Sequence, residues 1–372
     1  MSKLLTANIF LSLQIQICSD GPVIVTLGSV CTKSSSNIRQ KDIADSTGKY
    51  PIYGASGLIG YVDFYQHDKP YIAVVKDGAG VGRVYLLPAY SSIIGTMQGL
   101  VPNDDVLPEY LYYVAKQLHL ERHYTGATIP HIYFKDYKED RFRLVNLSEQ
   151  RNIVELFRKI ESIINSKQKV LDDLNTLVKA RFVEMFGDPC CNQLNWNCKK
   201  LSEITSKIGS GATPKGGKES YVVNGVSFVR SLNVYDGNFV YKNLAHLTQE
   251  QASQLQNVTL EKDDVLINIT GASVARSCIV PNDILPARVN QHVSILRPNL
   301  ENVNPVFLNK LLISYNFKNK LLNLGSAGGA TRQAITKQQL EDLEIILPPI
   351  ELQNQFASFV HQVDKSKVVV KK

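Results

Sequence analysis

Between Ser148 and Phe186 the apolar residues recur at a heptad spacing. Ile153, Leu156, Phe157, Ile160, Ile163, Ile164, Val170, Leu171, Leu174, Leu177, Val178 and Met185 fall at positions a, d and e, the stripe of an amphipathic helix. The Ser148 hydroxyl is placed to cap its start, accepting from an unpaired first-turn N–H, and Gly187 followed by Pro189 ends it. Such a helix is a rod of roughly 58 Å at 1.5 Å per residue. A stripe this wide needs partner helices. The intramolecular candidate begins at Glu351, with Phe356, Phe359, Val360 and Val363 in matching register. Lys167 and Arg181 interrupt the stripe at a positions, which suits long side chains snorkelling at its edge.

Residues 24 to 147 read as mixed α/β. Tyr71 to Val75 and Gly82 to Leu87 are β-rich runs bounded by Gly and Pro. Tyr110 to Tyr124 predicts a helix, with Leu111, Val114, Ala115 and Leu118 on one face, standing just after Pro108. Its counterpart, Phe307 to Leu322, follows Pro305.

These parallels extend through the chain. Gly126-Ala127-Thr128, Leu144 and Gln150 recur as Gly329-Ala330-Thr331, Leu347 and Gln353, at a constant spacing of 203 residues (126 to 329, 150 to 353). Gly78-Ala79, Arg83, Pro88 and Gln98 recur as Gly271-Ala272, Arg276, Pro281 and Gln291 at a spacing of 193 (78 to 271). A period this long exceeds that of solenoid repeats, about 20–50 residues, and means two copies of a whole domain. The expected fold class is α+β: two similar mixed α/β domains separated by long antiparallel coiled-coil helices. The expected division is an N-terminal extension (1–23), a first domain (24–147), a spacer helix (148–187), a second domain (188–350) and a distal helix (351–372). A full copy of the spacer helix would run to about residue 389, so the distal helix is expected to be short, leaving its bundle reduced or completed by another chain.

Composition narrows the partners. With 372 residues, 44% hydrophobic and 20% charged, this is an ordinary globular composition with room for two or three cores. A net charge of +7 favours a polyanionic partner. Cys18, Cys31, Cys190, Cys191, Cys198 and Cys278 form no CxxC pair, so no zinc site is expected. Buried, reduced thiols and a cytoplasmic location are the expectation. Leu4 to Cys18 is broken by polar residues and lacks a small-residue cleavage site. No apolar run approaches the roughly 18 residues of a membrane span.

The candidate chemistry is binding. Gly209 to Lys218 fails the P-loop spacing, because Ala212 stands where glycine is required and Glu219 where Ser or Thr should follow the lysine. It reads as a cationic turn carrying Lys215 and Lys218. Gly78 to Gly82 is a tight turn flanked by Lys76 and Arg83, and Arg276 holds the same place in the second copy. Positive charge beside exposed N–H groups suits phosphate contact or base reading. Asp136 aligns with Gln339 and His131 with Ala334, so neither a duplicated metal carboxylate nor a duplicated histidine site is expected, and no catalytic or metal-ligating residue is assigned. Thr128, His131 and Lys135 in one copy face Arg332, Gln333 and Lys337 in the other; Arg230, Arg288, Asn290 and Gln291 add further long polar side chains. Arginine reads guanine and Asn or Gln reads adenine by paired hydrogen bonds.

On these features the chain resembles the specificity subunit of type I restriction-modification systems, over residues 24 to 370. Leu177 to Pro189 is similar to the family's central conserved segment, Pro348 to Phe356 to the start of its distal helix, and Tyr50 to Gly60 to the opening of one class of target-recognition domain. The resemblance implies a non-catalytic subunit that reads a bipartite, asymmetric target in double-stranded DNA. It also implies helices that fix the gap and dock two methyltransferase subunits, through Ile153, Phe157, Ile160, Ile164, Leu171, Leu174, Val178, Phe356, Val360 and Val363. Motor-nuclease restriction subunits would join for cleavage. S-adenosylmethionine, ATP and Mg would belong to those partners, and no membrane is involved. Two other readings stay open: a self-sufficient nuclease or methyltransferase, and a helical assembly scaffold without sequence preference.

Overall fold

The computed structural model describes residues 23–126, 130–214, 216–326 and 333–371. The chain divides into two compact units, Met1–Ser166 and Lys167–Lys372. The cut falls inside one continuous helix, Leu147–Phe186.

In the first unit an antiparallel sheet runs in the order Cys31–Ser35, Met97–Pro102, Tyr71–Val75, Val84–Leu87. A second sheet places Tyr50–Gly54 between Gly57–Val62 and Ser92–Ile93, the latter pair parallel. Strand Tyr71–Val75 is wholly buried and carries no polar alternation, because both its faces are covered. Its period of two sorts the side chains: Ile72 and Val74 enter a core with Leu100, Tyr110, Val114 and Phe157, while Tyr71, Ala73 and Val75 enter another with Ile52, Ile93 and Met97. Each such aliphatic side chain contributes about 1.5–3 kcal/mol by leaving water.

The second unit repeats the plan. Its first sheet runs Thr205–Ser210, Val293–Pro298, Val265–Asn268, Ser277–Ile279, and its second again contains one parallel pair, Val226–Val229 with Ala287–Val289. Val265 and Ile267 face one core, with Phe186, Phe307 and Phe356; Leu266 faces the other, with Phe228 and Val289. The ladders correct one pairing drawn from sequence. Val75 pairs with Met97 and Asn268 with Val293, so Gln98 is equivalent to Ser294, not Gln291. The spacing has grown by three residues between the two strands of each ladder.

Three local expectations also change. The helix expected over 110–124 is Pro108–Gln117, followed by a left-handed His119 (φ 52°) and a 3-10 turn, Leu120–His123. Its counterpart is two helices, Pro305–Leu312 and Tyr315–Ser326. Pro108 and Pro305 are the first residues of their helices, where a missing N–H costs nothing. The long helix is capped by Asn146, whose Oδ1 accepts from the Glu149 N–H at 3.0 Å, and Ser148 lies inside it. At its other end Gly187 takes the left-handed φ of +71° that stops a helix.

Only the two ends of the heptad stripe are packed. Ile153, Val154 and Phe157 join the first unit's core, Phe157 stacking on Tyr113 at 4.8 Å. Val178, Phe182 and Phe186 join the second unit's, where Phe182 and Phe186 each meet Phe356 at 5.5 Å and Leu174 is half-buried. Val360 and Val363 of the distal helix, Ile350–Lys371, complete that cluster. Between the ends Ile160, Ile164 and Leu171 are half-buried and Ile163, Val170 and Leu177 exposed. Lys167 is exposed, and Arg181 pairs with Glu184 on its own helix at 2.9 Å.

Cys31 and Cys278 are buried and held as thiols, their pKa values pushed up to about 12 by burial. Cys190, Cys191 and Cys198 are exposed, against expectation. They sit in the surface segment between two stretches of the second unit's core, Phe186 before it and Leu201 after it. Cys18, like the rest of the N-terminal extension up to residue 22, lies outside the described residues.

Candidate nucleic-acid interface

The turn that joins the two β-rich runs of the first unit is closed by its own backbone. The Gly82 N–H donates to the Val75 carbonyl at 2.8 Å, Val81 to Gly78 at 3.0 Å and Arg83 to Gly80 at 3.0 Å. Gly78 and Gly82 have φ of +90° and +81°, where glycine is at ease. At Gly82 there is a second constraint: a Cβ would stand 2.5 Å from the Glu121 backbone nitrogen. The left-handed break at His119 brings Glu121 there. A second segment lies alongside, with the Gly78 N–H donating to the Pro130 carbonyl and the Ile132 N–H to the Lys76 carbonyl, both at 2.9 Å.

The second unit builds the same turn bond for bond. Ala275 donates to Asn268 at 2.8 Å, Val274 to Gly271 at 3.0 Å, Arg276 to Ser273 at 3.2 Å, Gly271 to Gln333 at 2.9 Å and Ile335 to Ile269 at 2.8 Å. Ala275 occupies the place of Gly82 with φ +63°. A left-handed alanine costs about 1–3 kcal/mol, so the surrounding hydrogen bonds hold the shape against the preference of the residue.

Around these turns the structure gathers part of the predicted set. In the first unit Lys76, Arg83 and His131 come together. Arg83 is exposed and anchored by Nη1 to the Ala55 carbonyl at 3.2 Å, and Lys135, also exposed, lies over the Tyr133 ring at 5.3 Å. His131 packs against Tyr133 with its ring tilted, centroids 4.0 Å apart, and hydrogen-bonds Asp77. In the second unit Arg276 lies over the Tyr235 ring at 4.5 Å. Gln333 is exposed and donates to Ser326 Oγ at 3.0 Å. Gln291 is exposed beside Thr213, to which it is hydrogen-bonded.

Other predicted residues are held by the fold. Arg288 directs Nε at the Ala252 carbonyl and Nη1 at the Ala287 carbonyl, both 3.0 Å, and burial lowers its pKa. Asn290 is buried and its Oδ1 accepts from the His292 N–H at 3.1 Å. Arg230 is half-buried over the Tyr221 ring, with Nη2 on the Asn243 carbonyl at 2.6 Å. Lys337 pairs with Glu341 one helical turn on, at 3.3 Å. Thr128, Lys215 and Arg332 lie outside the described residues, as does the side chain of Lys218.

Sequence reasoning passed over Asp77, Thr96, Thr270 and His292. Thr270 Oγ1 and His292 Nδ1 are 2.5 Å apart. The only local signal was that Asp77 and Thr270 immediately precede the paired glycines. Among the described residues no group of three or more His, Cys, Asp or Glu side chains is arranged for a metal ion, and no helix is long and apolar enough to cross a membrane.

Comparison with known proteins places this geometry. The profile of the type I restriction modification DNA specificity domain matches twice, over residues 20–176 and 193–372. Among curated proteins, the type I restriction enzyme MjaVIII specificity subunit of Methanocaldococcus jannaschii is 23% identical over 309 residues, covering 79% of this chain and 72% of that protein. The putative type I restriction enzyme MjaX specificity subunit of the same organism is 24% identical, covering 94% and 79%. Among solved structures, the type I restriction-modification S subunit from M. genitalium superposes with a TM-score of 0.61 at 16% identity, covering 96% of this chain and 92% of that one.

Proposed function

This chain belongs to the type I restriction-modification DNA specificity family, and we propose that each of its two units reads one half of a bipartite, asymmetric duplex target. The family role is to give such a system its DNA sequence specificity. The observation that carries the finer reading is the turn built twice with the same backbone bonds, Gly78–Arg83 and Gly271–Arg276, each presenting an arginine. A fixed backbone with changeable side chains is a frame for reading bases, since backbone groups set register and side chains select. Asymmetry follows from the side chains: Asp77 and His131 on one turn, Thr270 and Ala334 at the same places on the other.

Assembly would use the long helix. Val170 and Leu177 are exposed and seven residues apart, so they share one face and form a seam of the kind a partner helix covers. Of the residues first expected to dock partners, Ile153, Phe157, Val178, Phe356, Val360 and Val363 are spent on the cores of their own units, so the reading moves the docking of two methyltransferase subunits to this exposed seam, with restriction subunits joining the assembled complex. Bond-making, with S-adenosylmethionine, ATP and Mg, would belong to those partners, and this chain would be non-catalytic. The reading puts its site of action in the cytoplasm.

Methylation mapping tests the reading. In a genome carrying this chain and its methyltransferase, methylated adenines should define a two-part motif of unlike halves with a constant gap. A single uninterrupted motif, or two identical halves, would overturn it.

A further inference from the structure

The residue before the first glycine of each turn is where the two copies differ in chemistry on a shared backbone. Asp77 bridges to His131, and Thr270 to Ala334, at matching positions. Each also meets a histidine side chain, but from opposite neighbours. Asp77 is hydrogen-bonded by His131. Thr270 is bonded by His292, whose backbone carbonyl accepts from Ile269 as that of Thr96 accepts from Lys76. The same backbone position thus meets a histidine in both units, reached from a different segment in each.

Asp77 also lines a cavity of about 390 Å³ with Arg39, Gln40, Ser56 and Thr96. Its side chain is 30% exposed and that of His131 25%, so a ligand can reach the carboxylate. The Thr96 hydroxyl is buried there without a hydrogen-bond partner among the described residues. A carboxylate beside Lys76 and Arg83 works against phosphate contact, which favours cations. An ionised carboxylate only accepts hydrogen bonds, and the acceptor-reading partner in DNA is an exocyclic amine. His131 takes one oxygen, Oδ1, and fixes the group's orientation, which leaves Oδ2 to accept from a ligand.

We propose that Asp77, positioned by His131, selects an amine-bearing base, cytosine through N4 or adenine through N6, at one place in the first unit's half-site. Thr270, which both donates and accepts, reads its half-site by a different rule. This rests on the reading of the chain as a two-part DNA reader.

The test is binding of the purified full chain to a duplex library randomised over the target, followed by duplexes in which purine replaces adenine or pyrimidin-2-one replaces cytosine. The analogue that removes the read amine should weaken wild-type binding about ten-fold and show which base is read. It should cost Asp77→Ala nothing further, and that variant should lose base preference at one position of one half-site only. His131→Gln should weaken the same preference without moving it, and Asp77→Asn, nearly the same shape, checks that folding is intact by its melting temperature. Equal analogue sensitivity in wild type and Asp77→Ala, or a uniform loss on every sequence, would overturn the assignment while an Arg276→Ala effect on the other half-site left the two-part reading standing. A wild-type chain with no base preference in either half would overturn that reading and this assignment with it.

Discussion

Gln150 and Gln353, 203 positions apart, make the same three hydrogen bonds in their respective units. Gln150 Oε1 accepts from the Leu107 N–H at 2.8 Å, and its Nε2 donates to the Asp105 and Val145 carbonyls at 2.9 and 2.8 Å. Gln353 Oε1 accepts from the Asn304 N–H at 2.9 Å, and its Nε2 donates to the Asn302 and Pro348 carbonyls at 3.2 and 2.7 Å. Both side chains are fully buried. Each ties the first turn of a helix to the loop that precedes another helix.

Replacing either by leucine keeps the volume and orphans one N–H and two carbonyls. An unpaired buried polar group costs about 1–3 kcal/mol, so Gln150→Leu and Gln353→Leu should each destabilise by roughly 2–4 kcal/mol. Hydrogen exchange should show faster opening in the unit that carries the change. Unchanged protection at Leu107 in Gln150→Leu would show that the clamp is dispensable.

A second buried polar contact is ionic. Arg297 grips the fully buried Asp264 with Nε at 2.8 Å and Nη2 at 2.9 Å, and its pKa is raised by that hydrogen bond. Arg297→Ala leaves a buried carboxylate with the Glu261 N–H but without its counter-charge, a loss of about 3–5 kcal/mol. Arg297→Lys should recover little, because a point charge cannot replace the two-pronged geometry. Urea denaturation of the three chains checks the order.

His67 should make the protein sensitive to mild acid. Its ring packs on Tyr71, centroids 3.9 Å apart, its Nε2 is buried without a hydrogen-bond partner among the described residues, and burial lowers its pKa from 6.5. The unfolded chain therefore takes up a proton at a higher pH than the folded one. Stability is fully present above about pH 6.5 and falls as pH drops below it towards the folded value. Melting temperatures from pH 7.5 to 5 should fall more for the parent than for His67→Gln; parallel curves would remove His67 as the cause.

Arg276→Ala should weaken binding by about 1–3 kcal/mol if the guanidinium pairs with a guanine, and relax preference in one half-site only. Affinity for every sequence should fall steeply with salt as phosphate contacts release counterions. A loss equal on all duplexes, with a shallower salt slope, would make Arg276 a phosphate contact.

The duplication, the long helix with its glycine stop, and the buried β-runs were all readable along the chain. Each is a periodic or local signal: 203 residues between copies, seven within the helix, and short β-rich runs bounded by Gly and Pro. The alignment of Gln150 with Gln353 was visible too, though not what the side chains do.

What only the folded chain decided are contacts between residues far apart in sequence. Asp77 meets His131 across 54 positions, and Arg83 is tethered to Ala55 while Arg288 turns back onto backbone carbonyls. No local pattern separates an arginine that faces a ligand from one that closes its own fold, since both are long, charged and flanked by β-rich residues. The repeat told where the paired turns lie; strand register, which carries a three-residue insertion that spacing alone hid, determined which side chains reach them.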